Sequence, residues 1–391
     1  MKILLSTYGV RGDIAPYVAI ALALKSVGAH PVIATASAWQ SLVEGAGIEW
    51  AFCPPQSPTG ADLIRVMNGA RGDERLFREW ILPSLRESYE TLDKLAQDAD
   101  ILVTHTLSFA GPIVAQKRGL PWVSSAVSPL ALLEPQLAPA LPVAPWAAEL
   151  PGLNRLLLRL LRRQFGMWLR PVQALRRELD LPPGDNAIWH DAHSPLLALR
   201  LWPEQFCAAG TQGNARAVGF CFMPPQSLPD DIERWLQEGK APIIFCAASG
   251  CGGALWEARV LRCAQKLGRR AVMLGAVADS ESAIMLARRF AQLDALLPHA
   301  AAIVHGGGIG ALALAWRAGV PMLLTPRAHD QADNARRAAR LGIARVARGD
   351  WARELEALLN DGELRARAEQ TGATVANEDG ARAAALAIVA A

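Results

Sequence analysis

Short apolar runs alternate along the chain with longer stretches in which apolar residues recur every three or four positions. In the first half, four runs have the length of buried strands: Lys2–Ser6, Pro31–Thr35, Ile101–Thr104 and Trp122–Ser125. Helices are expected between them, one from about Ile14 to Val27 and another over Ala110–Lys117. Strands of this length separated by helices are typical of βαβ units and a parallel sheet.

A second series follows a proline-bearing stretch near residue 224. Its predicted strands are Ile243–Cys246, Ala271–Leu274, Ala302–His305 and Met322–Thr325. Helices are expected over Ala311–Ala318 and Ala332–Leu341. Because 391 residues exceed a typical single domain, we expect two domains, residues 1–213 and 214–377. An alanine-rich final helix, about 378–391, is expected to pack back on the first domain.

The region between the two series breaks the pattern. Six prolines between residues 129 and 151 exclude a regular helix and predict a loop lining an apolar surface. The stretch Leu153–Leu179, interrupted by Pro171, carries seven arginines among many leucines. Such a helix either lies on an anionic membrane or presents an ordinary solvated face over a core stripe, and both interpretations stay open.

Composition narrows the classes of function. With 40 basic and 37 acidic residues the formal net charge is +3, which argues against nucleic acid as a partner. The six cysteines form no CxxC pair and are expected to be reduced and buried in a cytoplasmic protein. The N-terminus predicts a first strand rather than a signal peptide, and no window offers the roughly 20 apolar residues of a membrane span. A peripheral position at the inner face of the membrane remains compatible.

The strongest motif is the sequence HGGGIG, which runs from His305 to Gly310. It follows a predicted strand and opens a predicted helix, so its backbone N–H groups and the helix dipole form an anion site. The His305 side chain can donate one more hydrogen bond to a phosphate. Two alternatives are a dinucleotide fingerprint, with Asp330 about twenty residues on, and a tight turn without a ligand.

Asp13 and His105 are the candidate bases. Asp13 lies where the first strand gives way to a helix, and His105 follows the strand Ile101–Thr104, so both are expected at the carboxyl edge of one sheet. Either side chain can take a proton from a hydroxyl, or the two can act as a pair. The alternatives are that Asp13 is a helix N-cap and that His105 is a pocket or core residue.

Two blocks of the sequence resemble family 1 GT-B glycosyltransferases. HGGGIG, then AGVPMLLTP, then His329-Asp330-Gln331 and Asn334 are similar to their donor signature. The segment GVRGDIAP, which begins at Gly9, resembles the start of bacterial antibiotic and sterol glycosyltransferases. VSSAVSP, which ends at Pro129, and residues 290–342 resemble rhamnolipid-forming rhamnosyltransferases. The resemblance implies an α/β GT-B fold: two Rossmann-like, doubly wound domains that face a cleft, with the acceptor in the first and the donor in the second.

Site roles follow from the resemblance. The diphosphate is expected on His305 and on the N–H groups of Gly307, Gly308, Ile309 and Gly310, with a further contact from Ser249. Phe290 and the Ala291 backbone are expected to hold the pyrimidine, and Asp330 and Gln331 the sugar hydroxyls. Plant members of the family have a His near Asp13, and this sequence has none there, so the resemblance implies the bacterial variant with Asp13 as the base. Acceptor contacts are expected at Val10, Arg11, Gly12, Ser128 and Pro129.

The implied activity is inverting, metal-independent transfer of a hexose or deoxyhexose, such as rhamnose or glucose. The co-substrate is a dTDP- or UDP-sugar, no other cofactor is expected, and no Asp-x-Asp motif follows an apolar strand. The acceptor is a hydroxyl on an apolar molecule, either a lipid hydroxyacyl chain or a polyketide or terpenoid. Two other functions remain open: a nicotinamide-dependent oxidoreductase, and a non-catalytic relative that binds sugar nucleotides.

Overall fold

The structure is a computed structural model that describes residues 1–67, 71–211, 213–247 and 252–391. Within these residues there are two seven-stranded sheets, each in its own compact unit. The first unit comprises Met1–Pro58, Arg71–Met223 and Asp379–Ala391, and the second contains Pro224–Glu378 together with residues 59–67. The two units therefore meet along the chain at Met223 and Pro224, later than residue 213.

The first sheet is parallel throughout, in the order β3-β2-β1-β4-β5-β6-β7. Its strands are β1 (Lys2–Ser6), β2 (His30–Thr35), β3 (Glu49–Phe52), β4 (Ile101–His105), β5 (Trp122–Ala126), β6 (Leu197–Arg200) and β7 (Ala215–Ala217). Every residue of β4 and β5 is buried, as expected for a parallel sheet with helices on both faces.

The second sheet has the order β10-β11-β9-β8-β12-β13-β14, and only β10 runs antiparallel to its neighbour. Its strands are β8 (Ile243–Cys246), β9 (Ala271–Leu274), β10 (Ser280–Glu281), β11 (Met285–Arg288), β12 (Ala302–His305), β13 (Met322–Leu324) and β14 (Ala344–Val346). In both sheets the chain starts in the middle and reverses direction across the sheet, at β1/β4 and at β8/β12. These are the switch points where such folds bind ligands.

The helices fill the connections between the strands. In chain order they are α1 (Arg11–Ser26), α2 (Gln40–Gly45), α3 (Gly60–Met67), α4 (Gly72–Arg75), α5 (Leu85–Leu95), α6 (Ala110–Arg118), α7 (Pro151–Trp168), α8 (Arg170–Glu178), α9 (Asp230–Gln237), α10 (Ala254–Leu267), α11 (Leu293–Leu296), α12 (Ile309–Arg317), α13 (Gln331–Arg340), α14 (Trp351–Leu359), α15 (Gly362–Asn377) and α16 (Gly380–Val389). A π-helical turn spans Leu76–Ile81, and short 3₁₀ turns occur between helices.

Several expectations from the sequence hold with small shifts. The Pro-rich region contains only 3₁₀ turns, at Pro129–Leu132, Pro135–Leu137 and Pro145–Glu149. The arginine-rich stretch forms α7 and α8, with the break at Leu169, because Pro171 fits the first turn of a new helix. The last helix, α16, belongs to the first unit and packs against α1.

One segment joins the unit that its sequence position does not predict. Helix α3 lies between β3 and β4 along the chain, yet it groups with the second unit. There the Nε2 atom of His329 donates to the backbone oxygen of Val66 at 3.0 Å. His329 has a positive φ of 52°, a conformation that non-glycine residues seldom adopt. The contact thus places α3 beside Asp330, which was expected to bind the sugar.

Candidate donor and acceptor sites

Asp13 lies in the first turn of α1, directly after the turn that follows β1. The N-cap position belongs to Val10, whose side chain has no hydrogen-bonding atom. The Oδ2 atom of Asp13 instead accepts a hydrogen bond from the Val10 N–H at 2.8 Å. The hypothesis that Asp13 is itself the N-cap is therefore wrong: it is the third helical residue and binds back to the cap. The helix N-terminus favours its charged form.

Gly9 makes room for this carboxylate. Its φ is +141°, and a Cβ atom there would lie 2.2 Å from the Oδ2 atom of Asp13. No side chain fits at that distance, so the position requires glycine for both backbone and steric reasons. The carboxylate is thus held between the Gly9 backbone and the Val10 N–H.

His105 is the last residue of β4 and is buried. Its Nδ1 atom accepts a hydrogen bond from the Leu107 N–H at 3.2 Å, so in the neutral ring the proton is on Nε2. That Nε2 atom lies 3.8 Å from the Oδ1 atom of Asp13. Burial lowers the pKa of His105 to about 4, which keeps the ring neutral near pH 7. His105 therefore directs its Nε2–H toward the Asp13 carboxylate, at a distance longer than a hydrogen bond.

The predicted acceptor residues lie at the same edge of the first sheet. Val10, Arg11 and Gly12 follow β1, while Ser128 and Pro129 follow β5. Because β1, β4 and β5 are adjacent parallel strands, their carboxyl ends meet at one edge. Ser128 and Pro129 are buried, whereas the three residues after β1 are partly exposed. The structure thus brings the two groups of residues to one edge of the sheet.

A cavity beside this edge was not predicted. Residues 6–8, 53–55 and 107–110 line it, together with side chains of α5, and it encloses about 20 Å³, room for one water molecule. Its wall includes Tyr8, whose pKa is raised by burial and by the nearby Asp13 charge. Its lining residues come from four separate parts of the chain, so no local sequence pattern predicts this cavity.

The glycine loop of the second unit ends β12 and begins α12. Gly308 is the N-cap, and the N–H groups of Gly308, Ile309 and Gly310 donate to no other group in the described residues. Gly307 differs: its N–H donates to the Nδ1 atom of His305 at 3.1 Å. The expectation that the Gly307 N–H binds phosphate thus conflicts with its internal hydrogen bond, and three N–H groups remain for an anion.

His305 is buried at the end of β12. Its Nδ1 atom accepts from Gly307, so its Nε2 atom carries the proton, and that atom has no hydrogen-bond partner among the described residues. Burial lowers the pKa of His305 to about 4. A buried donor without a partner costs about 1–3 kcal/mol, and this donor belongs to the first residue of the glycine loop, in which the N–H groups of Gly308, Ile309 and Gly310 are also unpaired.

Asp330, Gln331 and Asn334 surround the loop from α13. Asn334 is fully buried, and its Nδ2 atom donates to the backbone oxygen of Gly307 at 3.0 Å and to the Oδ2 atom of Asp330 at 2.8 Å. Asn334 therefore links the glycine loop to the carboxylate expected to bind the sugar. Its place in the motif was noted from the sequence, but this role was not.

Gln331 is largely committed within the protein. Its Oε1 atom accepts from the backbone N–H groups of Arg327, at 2.9 Å, and Ala328, at 3.4 Å. The side chain is also buried against Gly306, where a Cβ atom would lie 3.1 Å from the same oxygen. Only the amide nitrogen of Gln331 is left for a sugar hydroxyl.

The remaining donor residues occupy a different part of the second sheet. Phe290 follows β11 and is exposed, whereas Ala291 is buried. Ser249, expected to contact a phosphate, lies outside the residues that the structure describes. The Phe290 ring is thus accessible to a flat partner such as a nucleobase.

The two units repeat one arrangement around a histidine. His105 ends β4 and His305 ends β12, and each strand lies next to the first strand of its sheet at the switch point. In both residues Nδ1 accepts from the N–H two positions on, and Nε2 is buried without a hydrogen-bond partner in the described part of the chain. In the first unit Nε2 faces a carboxylate, whereas in the second it belongs to the first residue of the glycine loop.

The sequence of this chain is similar to those of known glycosyltransferases. Residues 278–389 match the family model described as "Erythromycin biosynthesis protein CIII-like, C-terminal domain". Glycosyltransferase GtfE of Amycolatopsis orientalis is 28% identical over 98% of this chain and 96% of its own length. A sterol 3-beta-glucosyltransferase of Emericella nidulans is 25% identical over 97% of this chain and 29% of its own length.

Solved structures of similar proteins show which fold this chain has. The glycosyltransferase VinC, solved in complex with dTDP, superposes with a TM-score of 0.67 at 20% identity and covers 98% of this chain and 99% of that one. The chain has the GT-B fold. Its homologues and structural neighbours are glycosyltransferases, so the resemblance and the fold class expected from the motifs are confirmed. In GT-B terms, the unit with Asp13 is the N-terminal domain, and the unit with the glycine loop is the C-terminal domain.

Proposed function

We propose that this chain transfers a hexose or deoxyhexose from a nucleoside-diphosphate sugar to a hydroxyl of an apolar acceptor. The observation that carries the proposal is the buried, unpartnered Nε2–H of His305 beside the unpaired N–H groups of Gly308, Ile309 and Gly310. Together these donors fit a diphosphate. A nicotinamide dinucleotide would also bring phosphates, but the full-length relatives are glycosyltransferases.

The donor is expected to be a dTDP- or UDP-sugar. Phe290 would cover the pyrimidine, which the Ala291 backbone would bind, and Asp330 would accept hydrogen bonds from sugar hydroxyls. Asn334 orients that carboxylate through its 2.8 Å hydrogen bond. The similar structure of VinC was solved with dTDP, which supports a thymidine nucleotide as the first to test. Rhamnose and glucose are the first sugars to test.

Transfer proceeds with inversion in this proposal. The acceptor hydroxyl attacks the anomeric carbon from the face opposite the diphosphate, so one C–O bond forms as the other breaks. The proton of the hydroxyl passes to the Asp13 carboxylate, and the diphosphate leaves with the bonding electron pair. The loop N–H groups and the His305 Nε2–H stabilise the charge that develops on the leaving group. His105 acts as a positioning residue, because its Nε2–H faces the Asp13 carboxylate.

These donors allow the leaving group to depart without a metal. In the described residues no group of three His, Cys, Asp or Glu side chains is arranged to hold a metal ion. We expect transfer to continue at an unchanged rate in excess EDTA. Loss of transfer in EDTA, with recovery on adding Mg²⁺ or Mn²⁺, would show that the metal-free mechanism is wrong.

The acceptor is expected to be a lipid hydroxyacyl chain first, and a polyketide or terpenoid second. We place the enzyme in the cytoplasm, at the inner face of the membrane when the acceptor is a lipid, with residues 153–179 as the contact. No helix among the described residues is long and apolar enough to cross a bilayer.

A thermal-shift screen tests the proposal. UDP, dTDP, GDP and their sugars are compared with NAD(H), and a ligand at 100 times its Kd should add about 2.7 kcal/mol of stability. We expect a pyrimidine nucleotide to stabilise the protein and NAD(H) not to. Nucleotide release from the stabilising donor, with and without 3-hydroxydecanoate as the probe acceptor, then separates an enzyme from a binding protein. Stabilisation by NAD(H) alone would contradict the proposal.

A further inference from the structure

The solvent-facing side of α7 carries apolar side chains at its centre. Leu156, Leu160 and Met167 are 51%, 56% and 51% exposed, and their spacing of four and seven residues places them on one face of the helix. The opposite face is committed to the core through Leu158 and Phe165. The outward leucines are therefore not explained by packing within this domain, and they differ from the polar outer face of an ordinary surface helix.

Positive charge surrounds this apolar stripe. Residues 151–177 contain seven arginines and no Asp or Glu. Arg155, Arg159 and Arg163 are exposed on the same side of α7, and none forms an ion pair with a carboxylate in the described part of the chain. Arg162 and Arg176 have structural roles instead: the first lies over the Trp189 ring and the second donates to the Pro182 oxygen.

The 3₁₀ turn before α7 and the residues just before it also expose apolar side chains. Trp146 is 62% exposed and Val143 is 70% exposed, and the turn Pro145–Glu149 packs against α7. Tryptophan is enriched at membrane interfaces because its ring is apolar and its N–H is polar. We call the set Val143, Trp146, Leu156, Leu160 and Met167, with Arg155, Arg159 and Arg163, the arginine–leucine face.

We propose that the arginine–leucine face binds the surface of an anionic lipid bilayer. Arginines beside exposed leucines on an amphipathic helix fit acidic headgroups and the acyl boundary below them. A second copy of the chain fits less well, because a twofold contact would bring Arg155, Arg159 and Arg163 of the two copies together. The charge thus favours a lipid surface over self-association.

This face is connected to the apolar wall of the acceptor domain. Phe165, on the inner side of α7, packs edge-to-face on Phe77 with ring centroids 5.2 Å apart. Phe77 in turn contacts Phe109, at 5.8 Å, and Phe109 lines the cavity beside β1 and β4. Resting on the proposed function, this continuity brings a lipid acceptor's bilayer close to the acceptor side. The membrane contact itself is independent of transfer.

Vesicle flotation without donor or acceptor tests the contact. The full chain is mixed with vesicles of phosphatidylcholine alone or with 30% phosphatidylglycerol, at low and at high salt. We expect binding to the anionic vesicles only, weakened by salt because the charges are exposed. Arg155→Gln/Arg159→Gln/Arg163→Gln should lower the affinity on the order of 100-fold, at about fivefold per arginine. Leu156→Gln/Leu160→Gln should lower it about tenfold or more.

Matched controls come from another exposed helix of the same domain. Arg382 and Leu386 are exposed on α16, and Arg382→Gln and Leu386→Gln should leave vesicle binding unchanged. Because every substituted side chain is exposed, unfolding midpoints are expected to stay at the wild-type value, and they are measured for each variant. Equal binding to neutral vesicles, binding to neither, or variants that bind like wild type would overturn the proposal. So would an oligomer that the leucine variants dissociate. Nucleotide binding measured on the same variants reports separately on the transfer proposal.

Discussion

Asp13→Asn isolates the charge of the proposed base from its structural role. An asparagine oxygen can still accept the Val10 N–H, which now lies 2.8 Å from the carboxylate, so the start of α1 is retained. The loss of a charge at a helix N-terminus is worth about 0.3–1 kcal/mol of stability. A general base contributes about 10²–10⁴ in rate, or roughly 2.7–5.4 kcal/mol of transition-state stabilisation. The expected loss of activity thus exceeds the loss of stability.

Three measurements on one preparation separate these effects. Nucleotide release in the presence of acceptor gives the rate, calorimetry with the bare nucleoside diphosphate gives donor affinity, and urea unfolding gives stability. We expect the rate to fall by the stated factor while the Kd and the unfolding midpoint barely move. His105→Gln keeps a side-chain donor and should lose less activity than Asp13→Asn, because His105 only positions the carboxylate.

Gly9→Ala provides a second perturbation of the same carboxylate. This substitution keeps the Asp13 side chain but adds a Cβ atom that would lie 2.2 Å from its Oδ2 atom, so the carboxylate must move. A reduced rate and a stability loss of about 1–3 kcal/mol are expected, since φ is +141° there. If Asp13→Asn stays active while His105→Ala is folded and inactive, the base is His105 and the reasoning above is refuted. If both stay active, the acceptor hydroxyl is activated elsewhere.

Four further substitutions and a change of pH test the donor side and the buried histidines. His305→Ala should lower the rate by about 10²–10³ in a folded protein, and near-normal turnover would place the diphosphate elsewhere. Asp330→Ala should weaken binding of the sugar nucleotide but not of the bare nucleoside diphosphate. Asn334→Ala should weaken binding of both ligands, because it also removes the hydrogen bond to the Gly307 carbonyl. Calorimetry distinguishes the two patterns, and equal weakening of both ligands by Asp330→Ala would reject its role in binding the sugar. The pKa of His105 and of His305 is lowered from 6.5 to about 4 by burial, so the unfolded chain binds protons between these pH values that the folded chain does not. The contribution of these two histidines to the free energy of unfolding should therefore be constant above pH 6.5. Below that pH it should fall by roughly 1.4 kcal/mol per histidine for each pH unit, until about pH 4. Urea midpoints at pH 7.5 and 5.0 measure this, and His305→Asn should reduce the difference; an unchanged difference would mean that His305 is not buried in its neutral form.

The sequence by itself determined the buried strands and the glycine loop of this protein. Runs such as Ile243–Cys246 and Ala302–His305 are continuous and apolar because a parallel strand is buried on both faces, so their bounds were predicted without error. The glycine loop was recognisable because a strand, three glycines and a helix start occur consecutively. Short edge strands were missed: Ala215–Ala217 has three residues and a central arginine, and pairing with a neighbour, rather than local composition, makes it a strand.

Only the tertiary structure decided what the site residues do. Asp13 and His105 are far apart in the chain, and their 3.8 Å separation follows from the pairing of β1 with β4. The proton position on His105 depends on a backbone N–H two residues on, which a residue type does not reveal. The same holds for Asn334, which reaches the Gly307 oxygen from α13, 27 residues further along the chain. Periodicity is a local property that a sequence carries directly, whereas hydrogen-bond direction and burial depend on distances between residues that only the folded chain brings together.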